Sequence, residues 1–389
     1  MYIQRQIKSE LVFLVKEYPI ITILGPRQAG KTTFAQNALP DYHYSNLEDP
    51  EIRAFAESDP KAYLKQFTGN TILDEIQRVP KLLSYLQVET DAHPENGRFV
   101  LTGSHQLSLR QAISQSLAGR TAILHLLPLS IAELQAGGIT FPEFSDYAFT
   151  GFLPRIYEQS QRPTPAYANY YQTYVERDVR QLIQLKDQSL FEKMLKLMAG
   201  RVGQIFDYSS LANDIGVDSK TVRSWLSILE ASFIVFKLPP YFENFGKRVI
   251  KSPKYYFTEV GLLCYLLGIR KPDQILRDPL VGQIFENLVV IEALKSRYNA
   301  GKSADLSYFR DSKGNEIDLI VEEGRELKAF EIKSASTFDP KQLKGLRRFR
   351  ELSQKMKSGT LVYNGKDLNL SENFYARHFM KTAEIIDHS

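Results

Sequence analysis

The sequence predicts an α/β protein: a parallel sheet carrying a phosphate loop, then a helical region, then a smaller α/β region. Three observations predict it. An apolar, β-branched run, Ile20-Ile21-Thr22-Ile23-Leu24, stops at Gly25 and opens at once into the pattern G-x-x-x-x-G-K-T. A second apolar run, Thr71-Ile72-Leu73, ends in two carboxylates, Asp74 and Glu75. Towards the C-terminus, short strands alternate so that Glu316 and Asp318 share a face of their strand, as do Glu331 and Lys333 of theirs.

A chain of 389 residues has room for two or three domains, and the breaks at Gly137-Gly138 and Pro142 suggest boundaries at 1–140, 141–270 and 271–389. An apolar fraction of 43% with 24% charged residues belongs to a globular chain rather than a disordered one. The net charge of +4 excludes a global polycation, so basic residues matter only where they cluster. The single cysteine, Cys264, lies in an apolar run and excludes a disulfide framework within one chain. No run of 18 apolar residues occurs, and the first residues carry charge without a leader-like apolar core. The expectation is therefore a cytoplasmic protein with no membrane partner.

Residues 3 to 15 place Ile3, Ile7, Leu11, Leu14 and Val15 near helical spacing, as in an amphipathic helix packed beside the first strand. In the loop that follows, glycines let successive backbone N–H groups point inward, forming an anion-binding nest at a helix N-terminus. Gly25, Pro26, Arg27, Gln28, Ala29, Gly30, Lys31, Thr32 and Thr33 are thus the candidates for holding ATP. Lys31 would reach the β- and γ-phosphates, and the Thr32 hydroxyl would ligate Mg²⁺. With average residue usage the pattern arises by chance in roughly one chain of this length in a hundred.

Asp74 is the candidate for the Mg²⁺ shell, and Glu75 for the base that polarises the attacking water. Apolar-then-acidic strand ends are common; the place of this one, downstream of the loop, gives it weight. A further strand, Arg98 to Ser104, ends in hydroxyls, so Thr102 or Ser104 is a candidate γ-phosphate sensor or else ordinary strand-end turn chemistry. Arg120 precedes a fourth apolar stretch, Ala122 to Leu127. It reads as an arginine finger, in cis or from a neighbouring subunit, or as a solvated loop arginine.

These residues, Gly25 to Thr33, Leu73-Asp74-Glu75-Ile76-Gln77, Leu101 to Ser104 and Ser116 to Arg120, resemble the prokaryotic AAA-type P-loop ATPases fused to a C-terminal module of unassigned role. Pro128-Leu129-Ser130 with Glu133-Leu134, and Tyr174-Val175-Glu176-Arg177-Asp178-Val179, match as well, so the resemblance covers essentially the whole chain. It implies Mg²⁺-dependent ATP hydrolysis of the AAA/STAND-related kind and a homo-oligomer.

Helical spacing resumes from Ala166 to about Lys186, where the tyrosines read as packed core. Beyond it, Phe191 to Met198, Tyr208 to Ile215 with Gly216 as its stop, and Lys220 to Glu230 capped by Asp218 or Ser219 form three helices. Phe233 to Leu238 is a strand and Tyr255-Tyr256-Phe257 its wing partner, which completes a winged helix. Lys220, Thr221 and Arg223 open the prospective recognition helix, while Lys247, Arg248, Lys251 and Lys254 cluster on the wing loop. Phosphate contact with duplex DNA is one reading of these cations; a protein-binding module with solvated charges is the other.

In the last region an apolar helix carries one acid, Glu286, ahead of the strands bearing Glu316, Asp318, Glu331 and Lys333. Glu…Asp…Glu-x-Lys in that order resembles the restriction-endonuclease-like, PD-(D/E)xK, fold over about 110 residues. The resemblance implies that Asp318 and Glu331 bind Mg²⁺ with Glu286 in support, and that Lys333 orients the attacking water. The cationic helix from Lys341 to Arg350 would lie near a nucleic-acid backbone. The whole reads as an ATP-hydrolysing AAA-type protein acting on nucleic acid, with metal-dependent DNA cleavage, against a nucleotide-switched scaffold for protein partners with an inactive nuclease-like domain.

Overall fold

The computed structural model describes residues 2–104, 113, 116–179, 188–243, 250–371 and 373–387. The chain divides into two compact units. The first comprises residues up to Leu129 with the short segments Ala231–Phe233 and Tyr298–Lys302. The second takes Ser130–Glu230, Ile234–Arg297 and the chain from Ser303 onward.

The first unit is a five-stranded sheet, all pairs parallel, in the order β2-β3-β4-β1-β5. The strands are β1 (Ile20–Gly25), β2 (His43–Asn46), β3 (Thr71–Asp74), β4 (Phe99–Ser104) and β5 (Thr121–His125). β1 is buried along its length because both faces are covered. Ile21 and Ile23 pack with Ile7 and Leu11, beside helix α1 (Lys8–Glu17) and helix α2 (Lys31–Ala38), whose Phe34 and Ala35 join them. Ile20 and Leu24 point the other way, against Leu73, Phe99, Leu101 and Leu86. Alternation along one strand therefore builds both halves of the core, and the phosphate loop leaves from its centre.

In the second unit, Ser130 and Glu133 form a capping box on the helix Ile131–Ala136. The helix Tyr208–Ile215 starts on Asp207 and stops at Gly216, whose φ of 92° suits glycine. The helix Ser219–Ala231 follows, with Asp218 accepting from the Thr221 N–H at 2.8 Å and Val222, Leu226 and Leu229 buried. Strands β6 (Val235–Leu238) and β7 (Lys254–Phe257) pair antiparallel, so the helix pair and hairpin expected here are present.

The second sheet has six strands in the order β12-β13-β11-β10-β9-β8. They are β8 (Leu306–Arg310), β9 (Glu316–Glu323), β10 (Glu326–Lys333), β11 (Met356–Tyr363), β12 (Leu368–Asn369) and β13 (Phe374–His378). β8, β9 and β10 run as an antiparallel meander, and β11 and then β13 continue it in parallel. The expected boundary near residue 270 does not separate compact bodies. β7 packs its Lys254 and Tyr256 side chains onto Glu286 of the long helix Val281–Asn299, which joins the middle and last regions into one unit.

Candidate functional site

The loop after β1 is shaped by two requirements. A Cβ on Gly25 would lie 2.0 Å from the Leu126 carbonyl oxygen, so only glycine fits between β1 and the chain leaving β5. Gln28 and Gly30 take positive φ, 62° and 86°, which turns the backbone back towards α2. Gly30 is the N-cap of α2 and gives it no side-chain cap, so the first N–H groups of the helix are left for an anion. Lys31 is buried inside this loop, its ammonium donating to the Gly25 and Pro26 carbonyls at 3.0 and 2.8 Å. Burial lowers it to about 8, with Glu75 and Asp74 pulling the other way.

Asp74 closes β3 beside the loop and is bound by hydroxyls alone. Thr32 Oγ1 donates to it at 3.0 Å, Tyr44 OH at 2.9 Å, and Thr102 from the neighbouring β4. Among the described residues it has no ion-pair partner. Glu75 stands next in the left-handed region, φ 57°, a conformation that costs a non-glycine residue on the order of 1 kcal/mol. Its N–H donates to Thr102 Oγ1 at 3.3 Å, and Gln77 donates to its carboxylate. Burial raises the Glu75 carboxyl, Lys31 opposing and Asp74 adding to the rise. Hard oxygen donors on Thr32 and Asp74, with no direct ion pair to Asp74 among the described residues, fit a Mg²⁺ ion carried in with a nucleotide.

Arg27 sits 3.7 Å from Glu48 on the rim of the loop. Ser104 ends β4 opposite Gly25, but its side chain lies outside the described residues. Arg120 is the departure. The Ile20 N–H donates to its carbonyl, which puts it at the start of β1 and β5, the sheet edge away from the loop. Its guanidinium forks onto Asp91 at 2.6 and 2.8 Å. A cis arginine finger is therefore excluded, because the length of β1 separates the two.

The second cluster lies in the second unit. The register of β9 and β10 ends at Phe330 opposite Leu319, and one further step sets Glu331 opposite Asp318. Asp318 Oδ2 accepts from the Ile332 N–H at 2.8 Å and faces Lys333 Nζ at 3.3 Å. Lys333 also pairs with Glu331 at 2.7 Å. Glu286 accepts from Tyr256 OH at 2.6 Å and from Lys254 at 3.0 Å, and Lys254 reaches on to Glu316 at 2.7 Å. Burial and the nearby Asp318 raise Glu331 to about 8. All four expected residues are thus in one cluster, yet among the described residues no set of three His, Cys, Asp or Glu side chains converges to hold a metal.

Of the expected DNA-facing cations, Lys220 and Lys251 are exposed, and Arg223 stacks on the Tyr208 ring at 3.7 Å. Lys247 and Arg248, and the side chains of Glu176, Arg177 and Asp178, lie outside the described residues. Lys254 is not on a wing surface at all: it is 2% exposed, drawn inward by two carboxylates.

The chain is 32% identical over 325 residues to an uncharacterized protein of Mycobacterium tuberculosis, covering 82% of this chain and 71% of that one. It belongs to that protein's family. Family models match an AAA domain over residues 17–135, the domain of unknown function DUF8612 over 142–273 and the domain of unknown function DUF4143 over 281–382. An uncharacterized protein of Methanocaldococcus jannaschii is 25% identical over 327 residues, 69% of this chain and 66% of that one. Among solved structures, the Walker-type ATPase of Pyrococcus abyssi aligns with a TM-score of 0.46 and 14% identity over 68% of this chain and 96% of that one. The AAA match and the parallel sheet with its phosphate loop make the first unit of this family member an AAA-type P-loop ATPase fold.

Sequence patterns missed Arg5, Tyr44, Lys254 and Tyr256. Arg5 is 4% exposed and donates to the Ala29 carbonyl at 2.9 Å and the Leu127 carbonyl at 2.5 Å, pinning the phosphate loop to the chain beyond β5. No local motif marks such a residue.

Proposed function

We propose that this chain binds ATP in the Gly25–Thr33 loop, hydrolyses it, and couples the cycle to nucleic acid held by its second unit. The observation that carries the ATPase reading is the meeting of Lys31, Thr32, Asp74 and Glu75 at the ends of β1 and β3, with β4 between them. The loop N–H groups and Lys31 bind the phosphates. Thr32 and Asp74 would hold Mg²⁺, which supplies charge neutralisation on the β- and γ-oxygens. Glu75, its carboxyl raised by burial, takes a proton from the attacking water as the water oxygen bonds to the γ-phosphorus and the bond from that phosphorus to the β–γ bridging oxygen breaks, leaving ADP and phosphate. Arg120, held on Asp91 at the far edge of its own sheet, would act on a neighbouring copy, which ties full turnover to a homo-oligomer.

The nucleic-acid reading is supported by exposed cations on the second unit: Lys220, Lys251, Lys341, Lys344, Arg347 and Arg348. Metal-dependent cleavage by Asp318, Glu331 and Lys333 is left out of the proposal, because the cluster's carboxylates already face ammonium groups. The test is ATP turnover with Mg²⁺, with and without duplex DNA, across a salt series. Stimulation that fades steeply with salt is expected, since phosphate contacts release counterions. Unstimulated turnover together with no DNA binding at low salt would instead favour a switch that engages protein partners.

A further inference from the structure

The second cluster holds a residue that its strand motif does not contain. Lys254 comes from β7, outside the meander, and its ammonium lies between Glu286, at 3.0 Å, and Glu316, at 2.7 Å, with its side chain 3% exposed. We propose that Lys254 is the resident counter-ion of this carboxylate cluster, occupying the place a divalent cation would need, so that the domain holds no metal while Lys254 is seated.

The charges close without a metal. Glu286, Glu316, Asp318 and Glu331 face Lys254, Lys333 and Arg310, the last pairing with Glu316 at 2.8 Å. One carboxyl beyond the three cations can stay neutral by keeping its proton, and Glu331 is placed to do so: its Oε2 is buried with no hydrogen-bond partner. A carboxylate oxygen left bare in that way is costly, whereas a protonated carboxyl is less so. Its pKa of about 8 agrees.

The remaining contacts also favour the ammonium. Tyr256 OH donates to Glu286, the Ile332 N–H to Asp318, and the Tyr308 ring lies 5.3 Å from the Lys254 nitrogen. Glu286, Glu316, Asp318 and Tyr256 together hold Lys254 charged against its burial. A divalent ion entering here would have to displace a buried cation from two ion pairs, and breaking such pairs one-sidedly is expensive.

The experiment counts bound Mn²⁺ on the full chain without nucleotide, by calorimetry and by electron paramagnetic resonance of free Mn²⁺. Wild type is expected to take up no equivalent that Asp318→Asn removes. Lys254→Met should gain one equivalent with a Kd below about 1 mM, the weak end of carboxylate sites, and lose it again when Asp318→Asn is added. Lys254→Arg should behave as wild type. Because Lys254→Met leaves buried carboxylates unpaired, Lys254→Met with Glu316→Gln carries the same test with less orphaned charge. Stoichiometric Mn²⁺ on wild type that disappears in Asp318→Asn overturns the proposal, as does a folded Lys254→Met chain, with or without Glu316→Gln, that gains none.

Discussion

The two units each gather carboxylates and a lysine where strands end, and they neutralise them in opposite ways. At the phosphate loop, Asp74 is bound by the hydroxyls of Thr32, Tyr44 and Thr102, and Lys31 by the carbonyls of Gly25 and Pro26. Hydroxyl and carbonyl dipoles hold these charges in direct hydrogen bonds, while Lys31 and the carboxylates act on each other without a direct ion pair. In the second unit, Lys254 and Lys333 sit directly on Glu286, Glu316, Asp318 and Glu331. The lysines register the contrast: burial lowers Lys31 to about 8, while carboxylates raise both Lys254 and Lys333. A site that leaves charge uncompensated is built to receive a charged ligand, and one that closes its own account is built to stay shut. Similar residue types thus serve recognition in one place and cohesion in the other.

The largest break in this comparison would come from Glu75. If the loop site is the chemical one, Glu75→Gln keeps nucleotide binding and lowers kcat by about 10²- to 10⁴-fold, the usual worth of a positioned general base. Phosphate release and binding of a fluorescent nucleotide separate the two effects. Unchanged turnover in that variant would show that water activation lies elsewhere.

A matched pair of substitutions sharpens the comparison next. Asp318→Asn removes a charge that faces Lys333 and Lys254, so it should cost about 1–3 kcal/mol of stability, the range for hydrogen bonds to charged partners, discounted because Lys333 is part-exposed. Asp74→Asn faces only hydroxyls, which an amide oxygen still accepts, and should stay within about 1 kcal/mol of wild type while losing Mg²⁺-dependent turnover. Equilibrium denaturation of both variants reads the difference. Equal losses would mean that Asp74 is as structural as Asp318.

How far each site can be read from the chain follows from how its parts are held. The loop was legible because its requirements are local: a backbone approach at Gly25, a turn at Gly30 and a helix start at Lys31 are written in consecutive residues. Asp318, Glu331 and Lys333 were legible through strand alternation, which fixes faces two residues at a time. Arg5 and Lys254 were not, because each acts on partners distant in the chain, Leu127 for the first and Glu286 for the second. Lys254 was even assigned to a wing loop, facing DNA or solvent, since a lysine in a basic stretch looks the same whether or not two acids wait across the fold. Arg120 shows the related limit that motif order does not say which edge of a sheet a residue occupies. The side-chain contacts of Lys254 and Tyr256 that join the regions on either side of residue 270 are likewise not written in composition.

The smallest effect concerns the proton on Lys31. Its ammonium is lowered to about 8 with carbonyls as partners, so near that pH about half of the nucleotide-free sites lack the proton. Bound phosphate is strongly anionic and restores the charge, so ATP binding must take up protons. The sign follows directly: uptake is near zero around pH 6.5, where Lys31 is already charged, and rises to about half a proton per site at pH 8. Binding enthalpies measured in buffers of different ionisation enthalpy give that number at each pH. Lys31→Arg, charged throughout this range, should abolish the pH dependence. Uptake that stays flat from pH 6.5 to 8 in wild type would mean that Lys31 is held charged, as Lys254 is, and the distinction between an open account and a closed one would fail at its most sensitive residue.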